Sequence, residues 1–184
     1  MYIYMKEIEI TIPNWNDKSH GLNKIGALQW ARNKYGEFKV ATHSPDGSWS
    51  KHIDVLECWE KEWWWRLDTA NNRTTFASEI VLDFDPHKNA TREEINQEAK
   101  NIATKLKELG FDFNVYFTGS RGFHFHLIFP ELMLLSPNQR KILKEKLIRY
   151  SGCELLKASE GTMIALEHEL HWKTGQMKLE VDLE

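Results

Sequence analysis

The run Ile80-Val81-Leu82-Asp83-Phe84-Asp85-Pro86 constrains this chain more than any other stretch. Three β-branched or apolar residues suit the pleated surface of a buried strand. Two carboxylates then follow, one residue apart. Side chains alternate faces along a strand, so Asp83 and Asp85 point the same way while Phe84 points into packing. Pro86 lacks a backbone N–H and ends the ladder. Two carboxylates on one face repel each other, and burying them is costly unless a cation lies between them. Mg²⁺ or Mn²⁺ fits that place, being hard ions that take oxygen ligands and keep positions open for phosphate. The competing structural reading is a strand end carrying two solvated acids.

A chain of 184 residues is long enough for a real core and reads as one domain. Its net charge of −3 provides no global basic field for nucleic acid, so any phosphate-binding surface must be local. Cys58 and Cys153 form neither a CxxC pair nor a zinc pattern and read as buried or half-buried thiols of a reducing compartment. No signal peptide is visible, because Lys6, Glu7 and Glu9 interrupt the apolar residues of 1–12, and no apolar run approaches a membrane span. A cytoplasmic location without membrane contact is expected. Trp63, Trp64 and Trp65 cannot all face one way on a helix or a strand, so at least one is expected near the surface.

Ile8, Ile10 and Ile12 alternate with Glu7, Glu9 and Thr11 and predict a first strand. Residues 22–34 predict a helix with Leu22, Ile25, Leu28 and Trp30 inward, stopped by Gly36. A short strand over 38–42 leads into Ser44-Pro45-Asp46-Gly47, a strong turn signal. The Trp-rich stretch 53–68 fits either strand and turn or an amphipathic helix, and 69–74 reads as a polar loop. After Pro86, Thr91 and Glu94 form a capping box for a helix whose period is set by Ile95, Ala99, Ile102, Leu106 and Leu109 and which ends at Gly110. Strands over 111–118 and 123–129 flank a turn, a helix runs from Pro137 to Tyr150 behind Ser136, and short strands and loops fill 151–184. The pattern is α+β, a mixed sheet flanked by helices.

Thr118-Gly119-Ser120-Arg121-Gly122 is a glycine-flanked turn carrying hydroxyls and a guanidinium, and His124 and His126 share a face just after it. Glycines allow φ > 0 and close approach of a ligand to the backbone, and such a turn suits a polyphosphate. Its ordinary structural reading is a polar hairpin with a satisfied core histidine. A zinc site would need a second partner motif; His168-Glu169-Leu170-His171 lacks the HExxH spacing, and no zinc is expected.

Taken in order, Leu82-Asp83-Phe84-Asp85, then Thr118 to His124, then His171-Trp172-Lys173-Thr174-Gly175 resemble the motifs of the archaeo-eukaryotic primase superfamily over roughly residues 76–178. That superfamily includes the small catalytic subunit of primases and the primase-polymerases. The resemblance implies a primase-like catalytic domain spanning 1–184, with 1–75 its N-terminal part and 76–184 its motif-bearing core. It implies that Asp83 and Asp85 hold two divalent ions, Mg²⁺ or Mn²⁺, and that Thr118, Ser120, Arg121, Gly122, His124, His171 and Lys173 hold the triphosphate. Two features depart from the pattern. Thr118 stands where serine is usual, which keeps the hydroxyl. The third metal-binding acid, usually aspartate, has Glu154 in its place, with Glu167 and Asp182 as alternatives. The chain also ends soon after its late motif, which fits a minimal catalytic domain, a fragment of a longer protein, or a chain completed by a partner such as a regulatory primase subunit, a helicase or a further domain.

The implied activity is that of a DNA primase or primase-polymerase: a metal-dependent, template-directed nucleotidyltransferase serving DNA replication. It would make or extend primers from nucleoside triphosphates on single-stranded DNA. Lys141, Lys144, Lys146 and Arg149 are expected template contacts, together with exposed tryptophans. Two other readings stay open. One is a catalytically weak nucleotide- or nucleic-acid-binding accessory module. The other is a metal-dependent nuclease.

Overall fold

A computed structural model describes Trp15, residues 23–153 and residues 161–183. The strand expected over 1–12 lies outside these, as does Glu154. Asn23 caps α1 (Lys24–Tyr35) by accepting from the Gly26 N–H, and Gly36 ends it at φ 88°. Its buried face is Ala27, Leu28, Ala31 and Tyr35, whereas Trp30 stands outward at 38% exposure with the Lys34 ammonium over its ring. The inward assignment of Trp30 is thus corrected; small alanines let α1 pack closely and leave no room for an indole.

β1 (Lys39–Ala41) and β2 (Ile53–Asp54) follow, and the ambiguous Trp-rich stretch resolves into two short helices, α2 (Val55–Glu60) and α3 (Trp64–Asp68), packed on α1. Asp54 caps α2. Trp65 is 64% exposed, as the three-tryptophan run required. The expected polar loop is different: Asn72–Thr74 is a fully buried strand, β3. Polar residues survive there because Arg73 finds two carboxylates, as described below. β7 (Met163–Ala165) completes one antiparallel sheet in the order β2-β1-β3-β7.

The second antiparallel sheet has the order β4-β6-β5-β8, from β4 (Glu79–Phe84), β6 (Phe123–Ile128), β5 (Asn114–Phe117) and β8 (Leu179–Glu180). Its two faces do different work. Ile80, Leu82 and Phe84 of β4 and Phe123, Phe125 and Leu127 of β6 face α4 (Arg92–Glu108) and α5 (Pro137–Ser151), where they form one core cluster with Ile95, Ala99, Ile102, Leu106 and Ile148. Each Ile or Leu so buried contributes about 1.5–3 kcal/mol. The Thr91 and Ser136 capping boxes fix the starts of both helices. Lys144 of α5 is buried with its Nζ 3.4 Å from Thr75 Oγ1, so it is not a solvent-facing template contact.

The alternate face carries Glu79, Asp83, His124 and His126. It looks toward the other core cluster, which gathers Trp15, α1, Phe38, Phe76 and Leu166 and includes Tyr116 and Ile128 from this sheet. Between the sheets lies a buried ionic network. Arg73 Nη1 bonds Glu79 Oε2 at 2.6 Å, and its Nη2 bonds Glu167 Oε1 at 3.0 Å. Lys178 Nζ bonds Glu167 Oε1 at 2.8 Å, and His126 Nδ1 lies 2.7 Å from Glu79 Oε1. Two carboxylates meet two cations, so the buried charge balances once His126 is neutral. Burial and the neighbouring Lys178 do push the His126 pKa down. Both cysteines are free, Cys58 buried and Cys153 half-buried. No described helix is long and apolar enough to cross a membrane.

Candidate functional site

The polar face of the second sheet opens at the end of β4. There Asp83 pairs across the ladder with His124, whose Nε2 lies 3.1 Å from Asp83 Oδ1. Burial, then Lys178, holds the His124 pKa at about 4, so the ring is neutral near pH 7. A neutral ring facing a carboxylate donates from Nε2, which leaves Nδ1 as the open position. That Nδ1 is buried without a hydrogen-bond partner among the described residues. Asp85, just past the strand, is exposed.

The 118–122 turn closes with the Thr118 N–H donating to the Gly122 carbonyl at 3.1 Å. Its glycines let the turn sit close against the chain's own backbone. A Cβ on Gly122 would sit 2.2 Å from the Phe84 carbonyl oxygen and 2.9 Å from Asp85 Oδ1. A Cβ on Gly119, at φ 79°, would sit 2.6 Å from the Gln176 carbonyl oxygen and 2.9 Å from His171 Cβ. The turn is thereby pressed against both the aspartate strand and the 171–176 loop. Thr174 Oγ1 donates to the Gly119 carbonyl and fastens that contact.

Within the 171–176 loop, the backbone N–H groups of Lys173 and Thr174 both point to His171 Nδ1 at 3.3 Å. Nδ1 is therefore the acceptor, and the proton of the neutral ring sits on Nε2. Burial, then His43 and Lys173, lowers the His171 pKa. Lys173 is exposed.

These elements enclose a cavity of about 390 Å³. Asp83, Asp85, Thr118, Ser120, His124, His171 and Lys173 all line it, although they come from three separate stretches. Arg121 does not. Its guanidinium turns away to the carbonyls of Lys88, His87 and Ala90 at 2.5, 3.2 and 3.0 Å, bracing the loop after β4. Glu154 lies outside the described residues, but Cys153 beside it shares a second cavity with Asp83 and Asp85. The alternatives Glu167 and Asp182 stand apart: Glu167 is spent on Arg73 and Lys178, and Asp182 lines a cavity with Asp112 and Glu180.

Sequence reasoning missed one wall of the cavity. His43 stacks on Trp49, with ring centroids 3.9 Å apart, and meets Trp172 at 4.1 Å. Asn72 of β3 and Met163 to Ala165 of β7 continue that wall. A signal was present: a hairpin at Ser44–Gly47 sets His43 across from Trp49, which the His43–Trp49 bridge realises.

Among the described residues, no group of three or more His, Cys, Asp or Glu side chains is placed to hold a metal ion. Two carboxylates beside a neutral histidine with an orphaned Nδ1 nevertheless suit a hard divalent ion that takes its remaining ligands from elsewhere.

Comparison with known proteins bears on the fold and the family. The family model for the LigD primase-polymerase domain matches residues 4–134, a span that holds the aspartate pair and the hairpin but stops before the late loop. A solved structure of the polymerase domain from Mycobacterium tuberculosis ligase D in complex with DNA has the same fold. Its TM-score is 0.58 at 10% identity, over 87% of this chain and 80% of that one. No curated protein matches the chain. By the family match, which covers well over half its length, the chain belongs to the LigD primase-polymerase domain family, within the archaeo-eukaryotic primase superfamily.

Proposed function

We propose that the chain is a metal-dependent, template-directed nucleotidyltransferase that makes or extends primers from nucleoside triphosphates on single-stranded DNA. The observation that carries this reading is the convergence of Asp83, Asp85, Ser120, His124, His171 and Lys173 on one cavity from three stretches of chain. A triphosphate needs donors and cations from several directions, and this wall supplies them: the Lys173 ammonium, the His171 Nε2–H and the Ser120 hydroxyl. Thr118 and Gly122 set the turn that carries Ser120 rather than reaching the ligand as donors of their own. Arg121 contributes by bracing the loop that follows Asp85. The Trp49–His43–Trp172 stack offers an aromatic surface for a base at the cavity mouth. The family, and the DNA present with the mycobacterial domain, support DNA as the partner.

Asp83 and Asp85 would hold Mg²⁺ or Mn²⁺, with Glu154 as the third ligand. A divalent ion bound there supplies a Lewis acid that activates the attacking hydroxyl and neutralises developing charge on the phosphates. The chain's own part is orientation. His124 fixes Asp83 through the Nε2–H bond, and Gly122 lets the hairpin sit close enough to bring Ser120 over the carboxylates. We read residues 1–184 as one catalytic domain, because the Arg73–Glu79–Glu167–Lys178 network ties β3 to β4 across the two sheets.

The test is primer extension on a labelled template, with Mn²⁺ or Mg²⁺ and ribo- or deoxyribonucleoside triphosphates, with and without an annealed primer. Product that disappears in Asp83→Ala and Asp85→Ala is the expected result. Triphosphate binding without product would point to an accessory module, and shortening of the template to a nuclease; either sinks the reading.

A further inference from the structure

A groove of about 500 Å³ opens on the helix-covered side of the second sheet. Leu143, Leu147 and Tyr150 of α5 line it, with Leu109 at the end of α4 and Leu132 of the 3₁₀ turn Pro130–Leu134. Ile80 of β4, fully buried, lies at its base. Glu131 and Lys146 are the only charged side chains lining it among the described residues. The groove is not closed over. Leu143 is 43% exposed, Leu109 46% and Tyr150 53%, and Ile142 beside them on α5 is 55% exposed. Single exposed apolar residues are ordinary, but a contiguous set beside an apolar groove marks a binding surface.

The groove has helical dimensions. Leu143, Leu147 and Tyr150 recur at i, i+4 and i+7, so they form one stripe two turns long, about 10 Å. A second helix laid along it would answer with apolar side chains at the same spacing. The charge beside the stripe has one sign. At about 100° of turn per residue, Lys146 and Arg149 fall next to Leu143 and Tyr150, while Glu145, the one acid of α5, falls on the opposite side of the helix. There Glu145 lies 3.9 Å from Lys141. Lys146 and Arg149 are exposed and have no ion-pair partner among the described residues. The sequence pattern offers both as template contacts, but they flank an apolar stripe and line neither cavity at the aspartate pair.

We propose that this groove docks a protein partner through an acidic amphipathic helix. Its apolar stripe fills the groove, and Asp or Glu side chains beside the stripe meet Lys146 and Arg149. Side chains alternate along β4, so Ile80 and Asp83 point to opposite faces of the sheet. The docked helix therefore sits across the sheet from the aspartate pair and leaves the His124 side open. Such a partner holds or recruits the domain without blocking it.

The experiment pans a displayed peptide library on the full chain. Each peptide is about 15 residues long, the length at which an isolated helix begins to hold, with apolar residues fixed at helical spacing and every other position random. Retained sequences should be rich in Asp and Glu beside the stripe and poor in Lys and Arg. A synthetic peptide from that pool should lose affinity at least about tenfold on Leu143→Asp. Panning on the Lys146→Glu/Arg149→Glu double variant should reverse the preference toward Lys and Arg. All three side chains are exposed, so both variants should melt near the parent; should Leu143→Asp melt early, the charge reversal carries the test alone. An empty selection, retained sequences without an acidic preference, or a preference unmoved by charge reversal would overturn the assignment. Self-association of the parent chain that Leu143→Asp abolishes would also overturn it and give the face to a second copy.

Discussion

His124 and His126 stand two residues apart on one strand, on one face, and both are buried and neutral. Their surroundings differ in one respect. Around His126 every valence is met: Nδ1 donates to Glu79, Nε2 lies 3.3 Å from Lys178 Nζ, and Arg73 and Glu167 close the circle. Around His124 the bonding stops halfway, with Nε2 on Asp83 and Nδ1 on no group among the described residues. A saturated cluster of charges holds two sheets together. An unsaturated one, opening on cavities to either side, is where a ligand can finish the bonding. The same residue types therefore carry a structural role at one end of the strand and, under the proposed function, a chemical one at the other.

Substitutions should separate the two clusters. The largest effect is expected on activity: Asp83→Ala or Asp85→Ala should lower extension at least about 10³-fold while the melting temperature stays near that of the parent. A large fall in melting temperature would instead place the aspartates in the structural cluster. Next is Arg73→Met, which leaves Glu79 and Glu167 buried with only Lys178 as cation. It should destabilise the fold by about 3–5 kcal/mol in denaturant titration. Intact stability in that variant would mean that water reaches the network and that the contrast between the clusters is weaker than drawn.

Acid should loosen both clusters in turn. His124 has its pKa near 4 in the fold against an ordinary 6.5, so the unfolded chain binds the proton more readily. Stability from this group is present above about pH 6.5 and drains away as pH falls toward 4, by on the order of 3 kcal/mol. His126 adds in the same direction. Glu79 and Glu167, held below the ordinary carboxylate range by Arg73, lose their contribution only below 4.5, a second and later window. Melting temperatures across pH 7.5 to 4 should therefore already fall before the carboxylates titrate. A flat curve down to pH 5 would show that both histidines are solvated in solution.

Much of this was legible in the sequence, and the reason differs by element. The aspartate strand, the Thr91 capping box, the Ser136 helix start and the hairpin are local signals, set by alternation, capping chemistry and glycine, and each appears where expected. Asn72–Thr74 was not legible, because a polar triplet becomes a central strand only through partners such as Glu167, far along the chain. The present partners of Arg121 were not legible for a related reason: a guanidinium beside a phosphate-like turn is equally suited to backbone carbonyls, and three lay within reach. The 171–176 loop was legible as a motif of its own, yet its dependence on Gly119 required the geometry of two loops in contact.

Lys173 gives the smallest effect and the finest discrimination. It is exposed on the late loop, and its backbone N–H helps orient His171, a bond that survives truncation of the side chain. Lys173→Ala should therefore remove one phosphate contact and nothing else, raising KM for triphosphate about tenfold with kcat nearly retained. An exposed ammonium acts through a field that salt screens within about 8–10 Å, so the penalty should shrink as ionic strength rises. The stability penalty of Arg73→Met, fully buried, should be far less sensitive to salt. Measured side by side over the same salt range, the two substitutions test whether one cluster is open to solvent and ligand and the other closed. An unchanged KM in Lys173→Ala would take that lysine out of the site and leave His171 and Ser120 to hold the phosphates.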